Sequence, residues 1–285
     1  MNKHFKAQTL ADGYTRIVDR ANSDLTQIEM GRLRLSRAGD SFRGSTEDRE
    51  VGFNLLAGVI RLQVHTRDSG DHAFAPVGRR PNPFAGPPAM VYLPIRSEYT
   101  LEVLQGPFEA AVYSVPATQA YAPRVVGPEE IATVRTGELN WTRHVRQGIA
   151  ENVRAQRLIM GETLAPSGNW SSYPPHKHDE QRPPFEQPAE EVYSFHFDRP
   201  QGFGFIRLYT PAGAPDAFDE AYTVCDGDVI TVARGYHPVT VAPGYRCCYL
   251  FCLAGAERLY GAWSDDPEHA WLRGCETVVR GNDLG

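Results

Sequence analysis

The stretch GNWSSYPPHKHDE, residues 168 to 180, carries two histidines one residue apart. On an extended chain, residues two apart project to the same face, so His176 and His178 aim both imidazoles at one point while Lys177 faces away. That geometry suits a single metal ion. Downstream, EEVYSFHF alternates so that Glu191 shares a face with Tyr193, Phe195 and Phe197. A third histidine, His237, follows the strand-like run VITVARGY and opens another, HPVTV. Three histidines and a carboxylate are thus available from three strands. The set, three nitrogens and one oxygen, suits divalent Zn, Mn, Fe, Co or Ni and leaves coordination positions open for water or substrate. A lone histidine is more readily explained as a surface or hydrogen-bonded residue, because imidazole has many structural uses. The combination in a β context is what favours a metal site.

Such a set needs strands to position it, and the chain supplies them. Its 285 residues allow one large or two medium domains. With 26 glycines and 22 prolines, short β-rich runs recur between turn signals, the pattern of an all-β sandwich or barrel. VGFNLLAGVIRLQV, AMVYLPI and FEAAVYSV read as strands in the first half; RLIMGETL, GFIRLYT, GDVITVA and CYLFCLA do so in the second. Helical pattern is confined to a turn or two near PEEIATVR and the tail DPEHAWLR. The halves echo one another: REVGFNLL precedes its glycine turn much as EEVYSFHF does, which suggests duplication of one β-barrel unit. A polar, turn-rich connection puts the boundary near residue 140, dividing the chain into 1–140 and 141–285.

Composition excludes several classes of partner. Acidic residues outnumber basic ones by 35 to 29, a net charge of −6 that gives no footprint for nucleic acid. No apolar run reaches the roughly 18 residues of a membrane span, and MNKHFKAQTLADGYTR lacks the apolar core of a signal peptide. The expectation is a soluble cytoplasmic protein. The five cysteines all fall in the second half, an odd and clustered set unlike a disulfide framework. Cys247, Cys248 and Cys252 could bind zinc, but in CCYLFCLAG they read more simply as buried strand residues.

The residues resemble the cupin superfamily, whose motifs here are Gly168, His176-x-His178 and Glu191, then Gly227, Gly235 and His237. Two departures stand out. Twelve residues, DEQRPPFEQPAE, separate His178 from Glu191 where the common pattern has only a few, and Ala233 stands where a proline is usual. The insert looks like a loop over the barrel mouth. More narrowly, GNWSSYPPHKHD, EEVYSFHF, GDVITVARGYHPVTVAPGY, DPEHAW and, in the first half, FAGPPAMVYLPIRSEYTLEV look like the 5-deoxyglucuronate isomerase family of myo-inositol catabolism. The resemblance implies a bicupin, with a metal-free N-terminal barrel and a metal-bearing C-terminal one, converting 5-deoxy-D-glucuronate to 5-dehydro-2-deoxy-D-gluconate.

An aldose to ketose isomerase must polarise a carbonyl and stabilise an enediolate or equivalent, which a divalent cation can do. The resemblance therefore implies that His176, His178, Glu191 and His237 hold the metal. Glu191 could exchange between ligand and base, and Tyr193 or Tyr209 could shuttle a proton, although each tyrosine reads more readily as a packed barrel aromatic. The substrate's carboxylate calls for a cation. Arg207, on a strand face with Phe205 and Tyr209, is the first candidate; Arg234 and Lys177 follow, each also readable as a solvated charge. The first half lacks the paired histidines; by register Glu50 corresponds to Glu191 and Glu98 falls near the place of His237, leaving that half to packing and assembly as a homo-oligomer. The rival readings are a uronate ketol-isomerase, a dioxygenase and a non-catalytic sugar-binding cupin.

Overall fold

In the computed structural model, which describes residues 2–282, the alternating runs become antiparallel strands and one helix, Leu272–Asn282. The first half is organised by two long strands, Arg49–Thr66 and Ser97–Pro116, which pair from Arg49↔Pro116 to Thr66↔Ser97. Strands of this length must bend to enclose a core. The register breaks between Leu55 and Ile60 supply the bend, with Gly58 at φ +90 where a Cβ would stand 2.8 Å from the Pro107 carbonyl oxygen. Inside lies an apolar cluster that includes Phe53, Leu62, Leu101 and Phe108.

The second half has a seven-stranded sheet running, in spatial order, His4–Phe5, Val229–Val232, Ala189–Phe197, Cys247–Gly255, Ile159–Ala165, Arg143–Ile149, Thr133–Thr136. A four-stranded sheet, Trp170–Ser171, Val239–Val241, Phe203–Tyr209, Asp219–Cys225, covers its inner face. Period-two alternation splits the larger sheet cleanly. On Ala189–Phe197, Cys247–Gly255 and Ile159–Ala165, odd-numbered residues such as Tyr193, Tyr249 and Phe251 face the barrel interior. Even-numbered ones, Met160, Val192, Leu250 and Cys252, pack on Met30, Tyr92 and Tyr113 of the first half, forming a third core between the barrels. Both flanking strands, His4–Phe5 and Thr133–Thr136, come from residues 1–140.

The internal repeat has a structural counterpart in two crossed carboxylates. Buried Glu50 accepts the backbone N–H groups of Gln156, Arg157 and Leu158 at 2.5, 2.9 and 3.2 Å, where the chain enters Ile159–Ala165. Glu190 accepts those of Thr26, Gln27 and Ile28 at 2.6, 2.8 and 3.3 Å, where the chain enters Glu29–Leu35. Each half thus satisfies otherwise buried donors of the other. Glu50 is therefore the counterpart of Glu190 rather than of Glu191, whose place falls to apolar Val51. Glu98 is exposed, opposite Ser45 and His65, and offers no remnant of His237.

All five cysteines are free thiols, and Cys247, Cys248 and Cys252 are buried along one strand. The turn near PEEIATVR is a short 3-10 segment, Pro128–Glu130. The tail helix extends well past DPEHAWLR, supported by Arg273–Glu276 and Glu276–Arg280 pairs at helical spacing. Among the described residues no helix is long and apolar enough to cross a membrane.

Candidate metal centre

The odd-numbered faces of four neighbouring strands converge on one cavity of about 200 Å³. Glu191 and Tyr193 come from Ala189–Phe197, Tyr249 from Cys247–Gly255, Thr163 from Ile159–Ala165, and Arg143 and Gln147 from Arg143–Ile149. His176, His178 and Trp263 complete the part of the wall that matters chemically. That space equals the liquid volume of about six or seven waters, room for one small molecule.

Three ligand-type side chains, His178, Glu191 and His237, are buried and bring one ligating atom each within 4.8 Å of the others. Carbonyl oxygens only accept, so the contacts from His178 Nδ1 to Ala189 O (2.8 Å) and from His237 Nδ1 to Gly235 O (2.9 Å) place the ring proton on Nδ1 in both. Each Nε2 is left to face Glu191 Oε2, at 3.1 Å from His178 and 3.3 Å from His237. His237 Nε2 is fully buried with no hydrogen-bond partner. An orphaned ring nitrogen beside a carboxylate, with the opposite nitrogen tied to a carbonyl, is the arrangement of a metal ligand and its orienting contact. The residues fit a divalent cation. His176 lines the same cavity, its ring 4.7 Å from that of His237 and 4.9 Å from that of Trp263, but its ligating atoms stand outside the trio. Its Nδ1 is also buried and unpartnered.

Electrostatics sharpen the picture. Burial pushes the Glu191 carboxyl up, but the facing imidazoles of His178 and His237 outweigh it and hold the group at about 2. His178 moves the other way: burial lowers it, and the Glu191 contact raises it above its ordinary value. Burial, with His237 and His178 nearby, holds His176 well below the usual range, so it is a neutral imidazole.

The long insert leaves this geometry intact because it is pinched shut at its base. Ala189 N–H donates to His178 O at 3.0 Å, and His178 Nδ1–H donates back to Ala189 O. Within the loop, buried Glu186 accepts Lys177 Nζ (2.9 Å), Arg182 Nη2 (2.8 Å) and the N–H groups of Asp179 and Glu180 (2.9 and 3.0 Å). Asp179 reaches on to Gly235 N–H at 2.7 Å, joining the loop to the His237 turn. Burial raises the Glu186 carboxyl, but these donors prevail and lower it to about 2. A depressed carboxylate contributes stability that is complete above its unfolded pKa and is lost as pH falls through the folded one. Amide exchange of residues 179–188 is accordingly expected to stay protected down to about pH 4 and to rise steeply toward pH 2. Glu186→Gln should remove that step; an unchanged profile in the variant would refute the assignment.

The remaining candidates are dispersed. Tyr193 lines the cavity, its hydroxyl 3.3 Å from Ser172 Oγ. Tyr209 is outside it, donating to Asp266 at 2.6 Å. Arg207 is exposed, holds Asp219 through two 2.7 Å bonds and lies over the Tyr209 ring. Arg234 donates to the carbonyls of Pro215 and Asp216 on the surface. Lys177 Nζ is enclosed by Asp179, Glu180 and Glu186. As carboxylate receptors for this cavity, Arg207, Arg234 and Lys177 are thus displaced. On Phe203–Tyr209 the small aliphatics Ile206 and Leu208 take the inner face and Phe203 and Phe205 the outer one, so the aromatic stripe does not mark the barrel interior. Arg143, hidden in a stretch read as linker, takes the place in the cavity wall. Its signal was the alternation Arg143, Val145, Gln147.

Comparisons with known proteins agree with this architecture. Residues 4–272 match the profile of the KduI/IolB family. A protein of Geobacillus thermodenitrificans named 5-deoxy-glucuronate isomerase is 35% identical over 235 residues, 82% of either chain. The crystal structure of an IolB-like protein from Salmonella typhimurium LT2 superposes with a TM-score of 0.86 at 29% identity, covering 96% of this chain and all of that one. Oxalate decarboxylase from Lactobacillus farciminis, 11% identical with a TM-score of 0.70 over 100% of this chain and 94% of that one, shares the fold. The architecture is all-β, two cupin-type barrels in one chain. On this match across nearly its whole length, the chain belongs to the KduI/IolB family.

Proposed function

We propose that the chain is a metal-dependent aldose-ketose isomerase that converts 5-deoxy-D-glucuronate to 5-dehydro-2-deoxy-D-gluconate in the cytoplasm. The observation that carries the proposal is the buried trio of His178, Glu191 and His237, of which His178 and Glu191 line a small cavity, in a chain whose relatives bear that isomerase name. In this reading the trio holds a divalent cation, with His176 beside it as a fourth ligand. The bound ion supplies Lewis-acid polarisation of the substrate's carbonyl and adjacent hydroxyl.

The chain's own residues move the proton from C2 to C1. Glu191, held as an anion, is the base-type group within the trio itself. Tyr193 is fully protonated at neutral pH, because burial and then the Glu191 charge raise its phenol well above the usual value. It therefore acts as a donor, to a substrate oxygen, rather than as a base. Tyr249, tied to Ser171 Oγ, and Phe251 wall the cavity against bulk water. Residues 1–140 form the metal-free unit and 141–285 the metal-bearing one, of which 283–285 lie outside the described residues.

The test is anaerobic turnover of 5-deoxyglucuronate with the product identified by NMR. Chelation should abolish activity and one added divalent cation should restore it, without oxygen uptake. A dioxygenase would consume oxygen, and a sugar-binding cupin would bind without turnover. No ketose from fully metallated protein would overturn the proposal.

A further inference from the structure

Arg143 is the single arginine or lysine in the cavity wall. It is buried, and its Nη1 donates to two carbonyls from separate segments, Tyr173 O at 2.8 Å and Trp141 O at 3.3 Å. Those two contacts fix the plane of the guanidinium. Among the described residues, Nε and Nη2 make no protein hydrogen bond and no carboxylate pairs with this cation. The nearby acid, Glu276, is engaged elsewhere, by Trp141 Nε1 at 3.3 Å and by Arg273 and Arg280 at 3.6 and 3.7 Å. Several other arginines of this half hold a carboxylate, Arg207 with Asp219, Arg246 with Asp198 and Arg273 with Asp265, while Arg234 and Arg258 meet carbonyl oxygens outside this cavity wall.

A buried guanidinium with an open hydrogen-bonding edge is costly to maintain unless an anion completes it. The fork matches a carboxylate in two parallel bonds. Along Arg143–Ile149, alternation sends Val145 and Gln147 to the same wall, so the cation stands in a row of inward side chains rather than on a mobile surface stem. Glu191, the carboxylate of the trio, stands on another strand of the same cavity. The two charged features therefore divide the space between them.

We propose that Arg143 is the carboxylate-recognition residue of this cavity: its open edge receives the carboxylate of a linear sugar acid and so turns the opposite, carbonyl-bearing end toward His178, Glu191 and His237. The identity of that end rests on the isomerase reading given above; the carboxylate site does not.

The probes are D-gluconate, a linear hydroxy acid, and D-glucitol, its neutral analogue, titrated calorimetrically into metal-loaded and chelated protein. Metal content and circular dichroism are followed in each variant. Wild type should prefer gluconate by about 100-fold, the order expected of charged hydrogen bonds. Arg143→Gln should bring the two ligands within about threefold, while Arg143→Lys, which keeps the charge but not the fork, should retain about a tenfold preference. In turnover of 5-deoxyglucuronate, Arg143→Gln should raise KM far more than it lowers kcat. If Arg143→Gln fails to fold, Arg143→Lys carries the test, and a preference equal to wild type in it refutes the fork. A gluconate preference that survives Arg143→Gln but vanishes on chelation would show that the metal holds the carboxylate, and would overturn the proposal. Equal loss of both ligands would reduce Arg143 to a structural residue. If wild type isomerises nothing yet shows the Arg143-dependent preference, the isomerase reading falls and the carboxylate site stands.

Discussion

His237→Ala is expected to lose its metal and about a thousandfold or more of its activity while remaining folded, because a cation of this kind supplies several kcal/mol of transition-state stabilisation. The side chain is fully buried, yet its Nε2 has no hydrogen-bond partner, so removing it leaves no protein group unsatisfied except the Gly235 carbonyl. Glu191→Gln should match the loss by another route, since it keeps the shape but removes the charge that both histidines face at 3.1 and 3.3 Å. Metal uptake should also depend on pH with a defined sign. In the absence of metal, Glu191 raises the affinity of His178 for a proton, and a cation must displace that proton to bind. Affinity should then be full above the raised His178 pKa and fall as pH drops through it. Competition with a chromophoric chelator between about pH 5 and 8 checks this. Flat affinity across that window, or a His237→Ala protein that keeps both metal and turnover, would remove the trio from the chemistry.

What could be read from sequence, and what could not, divides along physical lines. Period-two alternation is local, so the strand runs and the shared face of Glu191 and Tyr193 were legible from EEVYSFHF alone. The paired histidines carried their own geometry. Which face of a strand is inside is a tertiary fact, and Phe203–Tyr209 shows why: both of its faces carry large apolar residues, and Ile206 and Leu208 won the interior. Arg207 and Tyr209 went to the outer cleft with them. Polarity likewise concealed Arg143 and Arg146, whose strand looks like linker because the groups that meet its guanidinium ions, the Tyr173 carbonyl and the Glu162 carboxylate, come from other segments. The Glu50 and Glu190 crossing needed both barrels at once, since each carboxylate serves a segment more than a hundred residues away.

Glu162→Ala is expected to destabilise the protein by about 3 to 5 kcal/mol, the cost of leaving buried cations without their anion. Glu162 is wholly buried between the barrels. Both its oxygens are held by Arg80 of the first half at 2.9 Å, and Oε1 also by Arg146 at 2.9 Å. The side chain of Arg80 is only 3% exposed and that of Arg146 10%, and both also donate to Gly86 O. Water cannot readily replace the lost carboxylate there. The exposed pair Arg61–Glu102, at 2.7 Å with both side chains over 40% exposed, makes the comparison: Glu102→Ala should cost under about 1 kcal/mol despite its shorter contact. Burial, not distance, decides which pair matters. Replacing Glu162, Arg80 and Arg146 together with apolar residues of similar volume should recover most of the stability, because the desolvation penalty disappears with the charges. Calorimetry on metal-loaded protein checks the ranking, with a drop of roughly 10 °C for Glu162→Ala. On Ile159–Ala165, Glu162 faces the other barrel while Thr163 faces the cavity. Turnover per folded molecule should therefore change little at temperatures where the variant is folded. A Glu162→Ala protein as stable as Glu102→Ala would mean that the Arg80–Glu162–Arg146 cluster adds nothing to the joint between the barrels.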